Sequence, residues 1–422
     1  MIIQTVVSYL NDTKICLSNM FLEITIAIIL GCLFGVLTGI TPGLHINLVA
    51  LILFGMSPLL LGYTNIIPVA SFIIAMSITH TFTDFISATY IGAPSDDTAL
   101  AILPAHRLLL EGMGHEAVKL TVIGSLLCLI ITIILSPLLI FIVPFVFSYL
   151  KNYIGWLLLA VVVFMILREE NINKKFWAFV VVALSGILGL IVFNMPNLKD
   201  PLLPMLSGLF GVSILFLSLT QKVVLPIQRT TEMIKVKTGN IIKALCSSVF
   251  SGSLVSIFPG LGPAQAAVVA GQIVGKIDVF SYLILVGGIN TVSMLLSLIT
   301  LFTIGKARNG SIIVVQQLLQ NININILILF LAVAMIAGGI ATFLTLYVSK
   351  IFSKIMNKLN YSVLSILIIT FIAIMVLYFS GFVGLLILVI ATFIGLIPNI
   401  IEVSRSNSMA CLLVPIILMN LL

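Results

Sequence analysis

Two stretches decide the fold: Thr38-Gly39-Ile40-Thr41-Pro42-Gly43-Leu44-His45 and Val255-Ser256-Ile257-Phe258-Pro259-Gly260-Leu261-Gly262. Each sets a Pro-Gly pair inside a run of otherwise apolar residues. Proline removes a backbone donor and clashes with the preceding helical turn. Glycine beside it lets the chain take positive φ. Freed backbone groups cannot stay unpaired in lipid, so such a break is tolerated only where protein or a wet cavity covers it. A single Pro-Gly reads as a plain helix kink. Two at matching places point to a built site.

The surrounding chain sets the solvent. Of 422 residues, 61% are apolar and 8% charged, against roughly 25% charged in a soluble domain. Mean hydropathy is +1.31. A soluble enzyme and a disordered chain are excluded. The apolar runs are long and continuous, unlike the short alternating strands of a membrane barrel. The expected fold class is therefore an all-α polytopic membrane protein with roughly 10 to 14 crossings. The net charge of +7 sits in short loops, as positive-inside topology requires, and does not indicate nucleic acid. The five cysteines are scattered, without ligand spacing, and no HExxH sequence is present; no metal and no cofactor other than a coupling cation is expected.

The most polar stretch, 221–243, carries Lys222, Arg229, Lys235, Lys237 and Lys243 against Glu232. It is the expected cytoplasmic linker between a first transmembrane repeat, 1–220, and a second, 244–422. The basic stretches 168–175 and 350–358 are placed inside as well, and the turns near Lys151 and Gly381 outside. The Pro-Gly-Leu motif recurs at an offset of 217 residues, from Pro42 to Pro259. A polar cluster follows each copy: Ile91-Gly92-Ala93-Pro94-Ser95-Asp96-Asp97-Thr98, then Ile304-Gly305-Lys306-Ala307-Arg308-Asn309-Gly310-Ser311, at an offset of 213. An odd number of crossings per half would invert the second repeat. Two inverted repeats with Pro-Gly-interrupted helices or re-entrant hairpins are the sequence mark of a secondary transporter.

Helix N-termini exposed at such breaks suit an anion, and freed carbonyls suit Na⁺. The expected substrate site is Thr41, Pro42, Gly43, His45 and Asn47 with Pro259, Gly260, Gly262 and Gln265. Asp84 lies in a polar patch within an apolar run, and an intramembrane charge is a functional hypothesis by default. With Thr79, Asn290 and Thr291 it forms the expected coupling-ion group, Na⁺ or H⁺. The loop of Gly92, Pro94, Ser95, Asp96 and Asp97 completes the site or caps the next helix. His80 reads as a packing residue, and His106 and His115 as solvated loop residues. Two other readings stand beside transport. One is an intramembrane aspartyl-type hydrolase using Asp84 with Asp96 or Asp97, although a Gly-x-Gly-Asp motif is absent. The other is a passive channel, for which no filter or charged ring is visible.

The motifs together resemble the TctA family, the large membrane subunit of tripartite tricarboxylate transporters. The resemblance rests on Gly39-Ile40-Thr41-Pro42-Gly43-Leu44, Gly92-Ala93-Pro94-Ser95-Asp96-Asp97-Thr98-Ala99 and Ser207-Gly208-Leu209-Phe210-Gly211-Val212-Ser213. It continues in Phe258-Pro259-Gly260-Leu261-Gly262-Pro263, Gly395-Leu396-Ile397-Pro398 and Arg405-Ser406-Asn407-Ser408-Met409. It implies cation-coupled uptake of small organic anions such as di- or tricarboxylates across a prokaryotic plasma membrane. It also implies a small membrane subunit and an extracytoplasmic binding protein as partners. The chain is shorter than the typical large subunit, which points to a stand-alone permease. Transporters with paired re-entrant hairpins suggest a homodimer by analogy.

Overall fold

The computed structural model describes residues 2–41, 46–92, 98–150, 152–196, 198, 201–220, 226–230, 234–257, 262–275, 277–307, 309–319, 321–356 and 361–421. These form helices and no strand. In chain order they are α1 (Ile2–Ile40), α2 (Ile46–Gly55), α3 (Ser57–Leu60), α4 (Ile66–Ile86), α5 (Ile102–Leu110), α6 (Gly114–Leu150), α7 (Ile154–Leu167) and α8 (Ile172–Phe193). Then come α9 (Leu202–Leu206), α10 (Ser213–Thr220), α11 (Thr238–Ile257), α12 (Pro263–Val274) and α13 (Val279–Ile304). The last are α14 (Gly310–Leu319), α15 (Ile324–Met356), α16 (Tyr361–Ile401) and α17 (Ala410–Leu421). Wider π-helical turns continue α4 through Ser87–Ile91 and join α9 to α10 through Ser207–Val212.

Among the described residues, seven helices are long and apolar enough to cross a membrane. Bulky apolar side chains face outward on them, among them Phe141, Phe343, Phe382 and Phe393. That is the surface lipid covers, and the chain is a multi-pass membrane protein. α6 is one helix that carries Pro137 and Pro144 in its interior. α16 has two arms and bends where Gly381 takes a φ of 65°. α1 runs unbroken from Ile2 to Ile40.

Small residues let the central helices approach. A Cβ on Gly31 or Gly35 of α1 would lie 2.6 Å from the Phe72 or Met76 carbonyl of α4, and one on Gly39 would collide with Thr83. These glycines, four residues apart, lie on one face of α1, which runs parallel to α4. Close backbone approach through small residues is the usual basis of helix association in lipid. In the same way α11 runs parallel to α13, with Ser248 donating to the Leu285 carbonyl at 2.8 Å and Ser256 to Ser293 at 2.9 Å. Gly124 of α6 and Gly287 of α13 allow those two helices to touch backbone to backbone, and Ser125 donates to the Gly287 carbonyl. Thus α13 from the second half packs on α6 from the first, and α15 packs on α4. The buried cluster around Phe82, Ile86 and Tyr90 includes Leu295, Phe330 and Ala334; each half helps to build the other's core.

Two hydrogen bonds fix how the broken helices run. Thr64 donates to Glu23 at 2.8 Å, so the chain leaves along α1 and returns by α2 and α3 to the end where it started. Asn240 donates to Asp278 at 3.1 Å, which closes the mouth of the α11–α12 hairpin. The second mouth lies with the starts of α6 and α13 and the ends of α4 and α15. Tyr90 and His115 both meet Ser349 there, and Arg229 pairs with Glu116 at 3.2 Å. This is the basic end. The first mouth lies at the opposite end, where Lys306 sits over the Phe147 ring.

Candidate functional site

Pro42, Gly43, His45, Pro94, Ser95, Asp96, Asp97, Pro259 and Gly260 lie outside the described residues. Their flanks are placed. Gly92 and Gly305 end the two long central helices with almost the same backbone, φ 66° and ψ 19° against φ 65° and ψ 19°. That left-handed conformation favours glycine. It falls at the offset of 213 at which the polar clusters recur.

The residues expected to bind a coupling ion come together in part. α4 and α13 cross antiparallel, and the Asn290 amide donates to the Asp84 carboxylate at 2.8 Å. Both residues are 2% exposed. A carboxylate this deep keeps its charge only with polar partners, because burying an isolated charge costs several kcal/mol. One turn earlier, Thr81 and Thr291 meet at 3.2 Å. Thr79 is buried on α4 beneath Gly35. His80 Nδ1 meets the Thr38 hydroxyl at 3.0 Å and ties α4 to α1, as a packing residue would. The offset of 213 aligns Asp84 with Ser297, not with Asn290; Asn290 is its contact and not its counterpart.

Those of the expected substrate residues that are described divide between two junctions. At the first, Asn47 beyond the first break accepts a hydrogen bond from the Ser311 amide at 3.0 Å, within the second polar cluster. Ser311 also receives Ser77 at 2.9 Å and donates to Asn309, whose amide donates to Ser297 at 2.9 Å. Thr41 ends α1 on the same side, its amide bonded to the Leu37 carbonyl. At the second junction, the Gln265 side chain accepts from the Gly262 amide at 2.9 Å and fastens the start of α12. Beyond it opens a cavity of about 920 Å³, between α12 and the chain just past the first polar cluster. Ser77, Ser297 and Ser311 were not foreseen. Serine inside an apolar helix is commonplace, and only the cross-half contact distinguishes them.

His106 and His115 are corrected. Both are buried, at 2% and 3% exposure, and not solvated. α5 folds its apolar face and His106 inward while Arg107 and Glu111 pair outside at 3.3 Å. Burial lowers His106 to about 4; the Thr89 carbonyl opposes this, and the nearby positive charge of Arg405 adds to it. Among the described residues, no group of three or more His, Cys, Asp or Glu side chains is arranged to hold a metal.

The comparisons with known proteins agree with this architecture. The model of the tripartite tricarboxylate transporter TctA family matches residues 25–410. The chain belongs to the TctA family. It is accordingly a member of a membrane-transporter family. It is also 30% identical over 359 residues to an uncharacterized protein of Methanocaldococcus jannaschii, covering 83% of this chain and 86% of that protein. No solved structure matches.

Proposed function

We propose that this TctA-family protein is a secondary active transporter for small organic anions, most simply carboxylates, driven by a Na⁺ or H⁺ gradient. One observation carries the reading: two hairpins, α1–α2 and α11–α12, open toward opposite ends of the bundle, and the helices that follow them cross at Asp84 and Asn290. The matched glycines at 92 and 305 support an inverted repeat, in which 1–220 and 244–422 are copies joined by the 221–243 linker. By the positive-inside rule the basic end is cytoplasmic in a prokaryotic plasma membrane. A hairpin from each side places two sets of free backbone groups near the centre, where a carboxylate and its coupling ion can be held together. The anion would lie among Thr41, Pro42, Gly43, His45 and Asn47 on one side and Pro259, Gly260, Gly262 and Gln265 on the other. Gly92, Pro94, Ser95, Asp96 and Asp97 border it. Asp84 with Thr79, Asn290 and Thr291 would take the cation or a proton.

In this proposal the protein acts as a stand-alone permease, with a homodimer as the assembly. The small membrane subunit and binding protein of tripartite systems are the competing arrangement. The test is uptake of a labelled carboxylate panel into proteoliposomes under imposed Na⁺ and H⁺ gradients in turn. Saturable accumulation that collapses with one gradient is expected. Gly43→Leu and Gly260→Leu should remove it while membrane insertion persists. Normal uptake by both variants would refute the site.

A further inference from the structure

We infer that the cavity at the basic end is a second carboxylate site, a vestibule in which Arg405 and Arg168 hold the anion between the centre and the basic end. This rests on the transport reading above and assigns its access route. Two helical turns of α12 separate the cavity lining at Gly271 and Gln272 from the break at Gly262, and Ala99 and Leu100 line it just beyond the first polar cluster. The cavity therefore runs along α12 on the basic-end side of the second break.

The charges in its wall are not equivalent. Lys174 is paired with Glu170 at 3.4 Å, and Arg107 with Glu111. Glu169 accepts from the Ser404 amide at 2.9 Å and from the Asn407 amide at 3.1 Å, so it is committed to the chain segment that carries Arg405. The two remaining guanidinium groups, of Arg168 and Arg405, have neutral hydrogen-bond partners. Arg168 donates to Gln272 at 2.7 Å and to the Gly271 carbonyl. Arg405 donates through Nε to Asn399, and its Nη1 is buried without a hydrogen-bond partner. A half-buried guanidinium lacking a carboxylate partner favours an oxyanion, which its planar fork binds through two parallel hydrogen bonds. Arg405, half-buried, and the exposed Arg168 face this one space and together suit a ligand with two or more carboxylates. The apolar part of the wall, Met165, Phe210, Ala267 and Val268, suits the carbon skeleton of an organic anion better than bare phosphate.

The experiment is calorimetric titration of citrate, succinate and inorganic phosphate into the full-length protein in nanodiscs of zwitterionic lipid. Wild type should bind a di- or tricarboxylate saturably, more tightly than phosphate. Arg405→Gln and Arg168→Gln should each weaken that binding roughly tenfold or more, and Arg405→Lys should restore part of it. Arg168→Gln keeps the test alive should Arg405→Gln fail to fold. Unchanged affinity in both variants would overturn the vestibule. So would binding of phosphate in preference to both carboxylates. Oriented proteoliposomes separate this from the transport reading. Arg168→Gln should raise KM for anion presented at the basic end and leave KM at the opposite end unchanged. Carboxylate uptake with KM unmoved at either end would remove the vestibule and leave transport standing. Absence of uptake alongside arginine-dependent citrate binding would remove transport and keep an anion site.

Discussion

The two junctions between breaks and polar clusters are built from corresponding pieces and packed differently. Beside the first break, Asn47, Ser77, Ser297, Asn309 and Ser311 form a continuous hydrogen-bonded set that spans both halves. Beside the second, α12 stands away from Ala99 and Leu100, and the gap is the 920 Å³ cavity. One sequence pattern thus supports a closed junction and an open one in the same molecule. A pair of halves related by inversion could exchange these roles, which is what alternating access requires. For such an exchange the serine and asparagine hydrogen bonds of the first junction are contacts that would have to break.

The largest effect should come from the crossing between the junctions. Asp84→Asn is expected to reduce gradient-driven uptake at least a hundredfold while the protein still inserts and purifies normally. Retained accumulation in proteoliposomes would mean that the centre does not couple. Next is a contrast between glycines. A Cβ at Gly310 would lie 2.6 Å from Asn47, whereas one at Gly271 meets nothing within 4 Å. Gly310→Ala should cost about 1–3 kcal/mol as overpacking, and Gly271→Ala less than about 0.5 kcal/mol. Equal melting temperatures in detergent would erase the distinction between closed and open junctions. Ser311→Ala removes a bond from Ser77 and one to Asn309, at about 1 kcal/mol, and loosens only the first junction. Labelling of an introduced Asn47→Cys thiol from the end opposite the basic one should speed up in that background, and an unchanged rate would count against the closed state.

The smallest effect concerns acid. His106 is held neutral, with its pKa depressed to about 4 by burial against about 6.5 in an unfolded chain. The unfolded state therefore binds the proton first, and stability falls as pH drops through the window from about 6.5 to 4. His106→Gln should flatten that part of the melting-temperature profile. A profile identical to wild type would mean that other groups set the acid limit.

The residues that could be read in advance were those whose chemistry is local. Gly92 and Gly305 end their helices because the left-handed conformation there favours glycine, so their offset was visible in the chain. Asp84 stood out because charge is rare in an apolar run, and Asn290 and Thr291 were named with it. What could not be read was anything decided by distant packing. Ser311 meeting Asn47, His106 turned inward on α5, and Arg405 left facing a cavity all depend on which helices become neighbours. The continuity of the long helices was hidden for a related reason. Proline and glycine mark weak points in a helix but do not say whether neighbours will hold it together, as they do at Pro137 and Pro144 of α6 and do not at Gly381 of α16.

The length of α6 has a consequence of its own. Its 37 residues extend about 55 Å at 1.5 Å per residue, whereas the hydrocarbon layer is about 30 Å thick. The helix must lean steeply or project beyond the acyl chains, and Phe141, Phe145 and Tyr149 on its outer end fix where it meets the headgroups. Because α13 is locked to it backbone to backbone, any change in that lean is passed to the crossing at Asp84. For a transporter working as proposed above, acyl-chain length would then control turnover: short-chain and long-chain bilayers would set different angles of the same strut and different rates of transport.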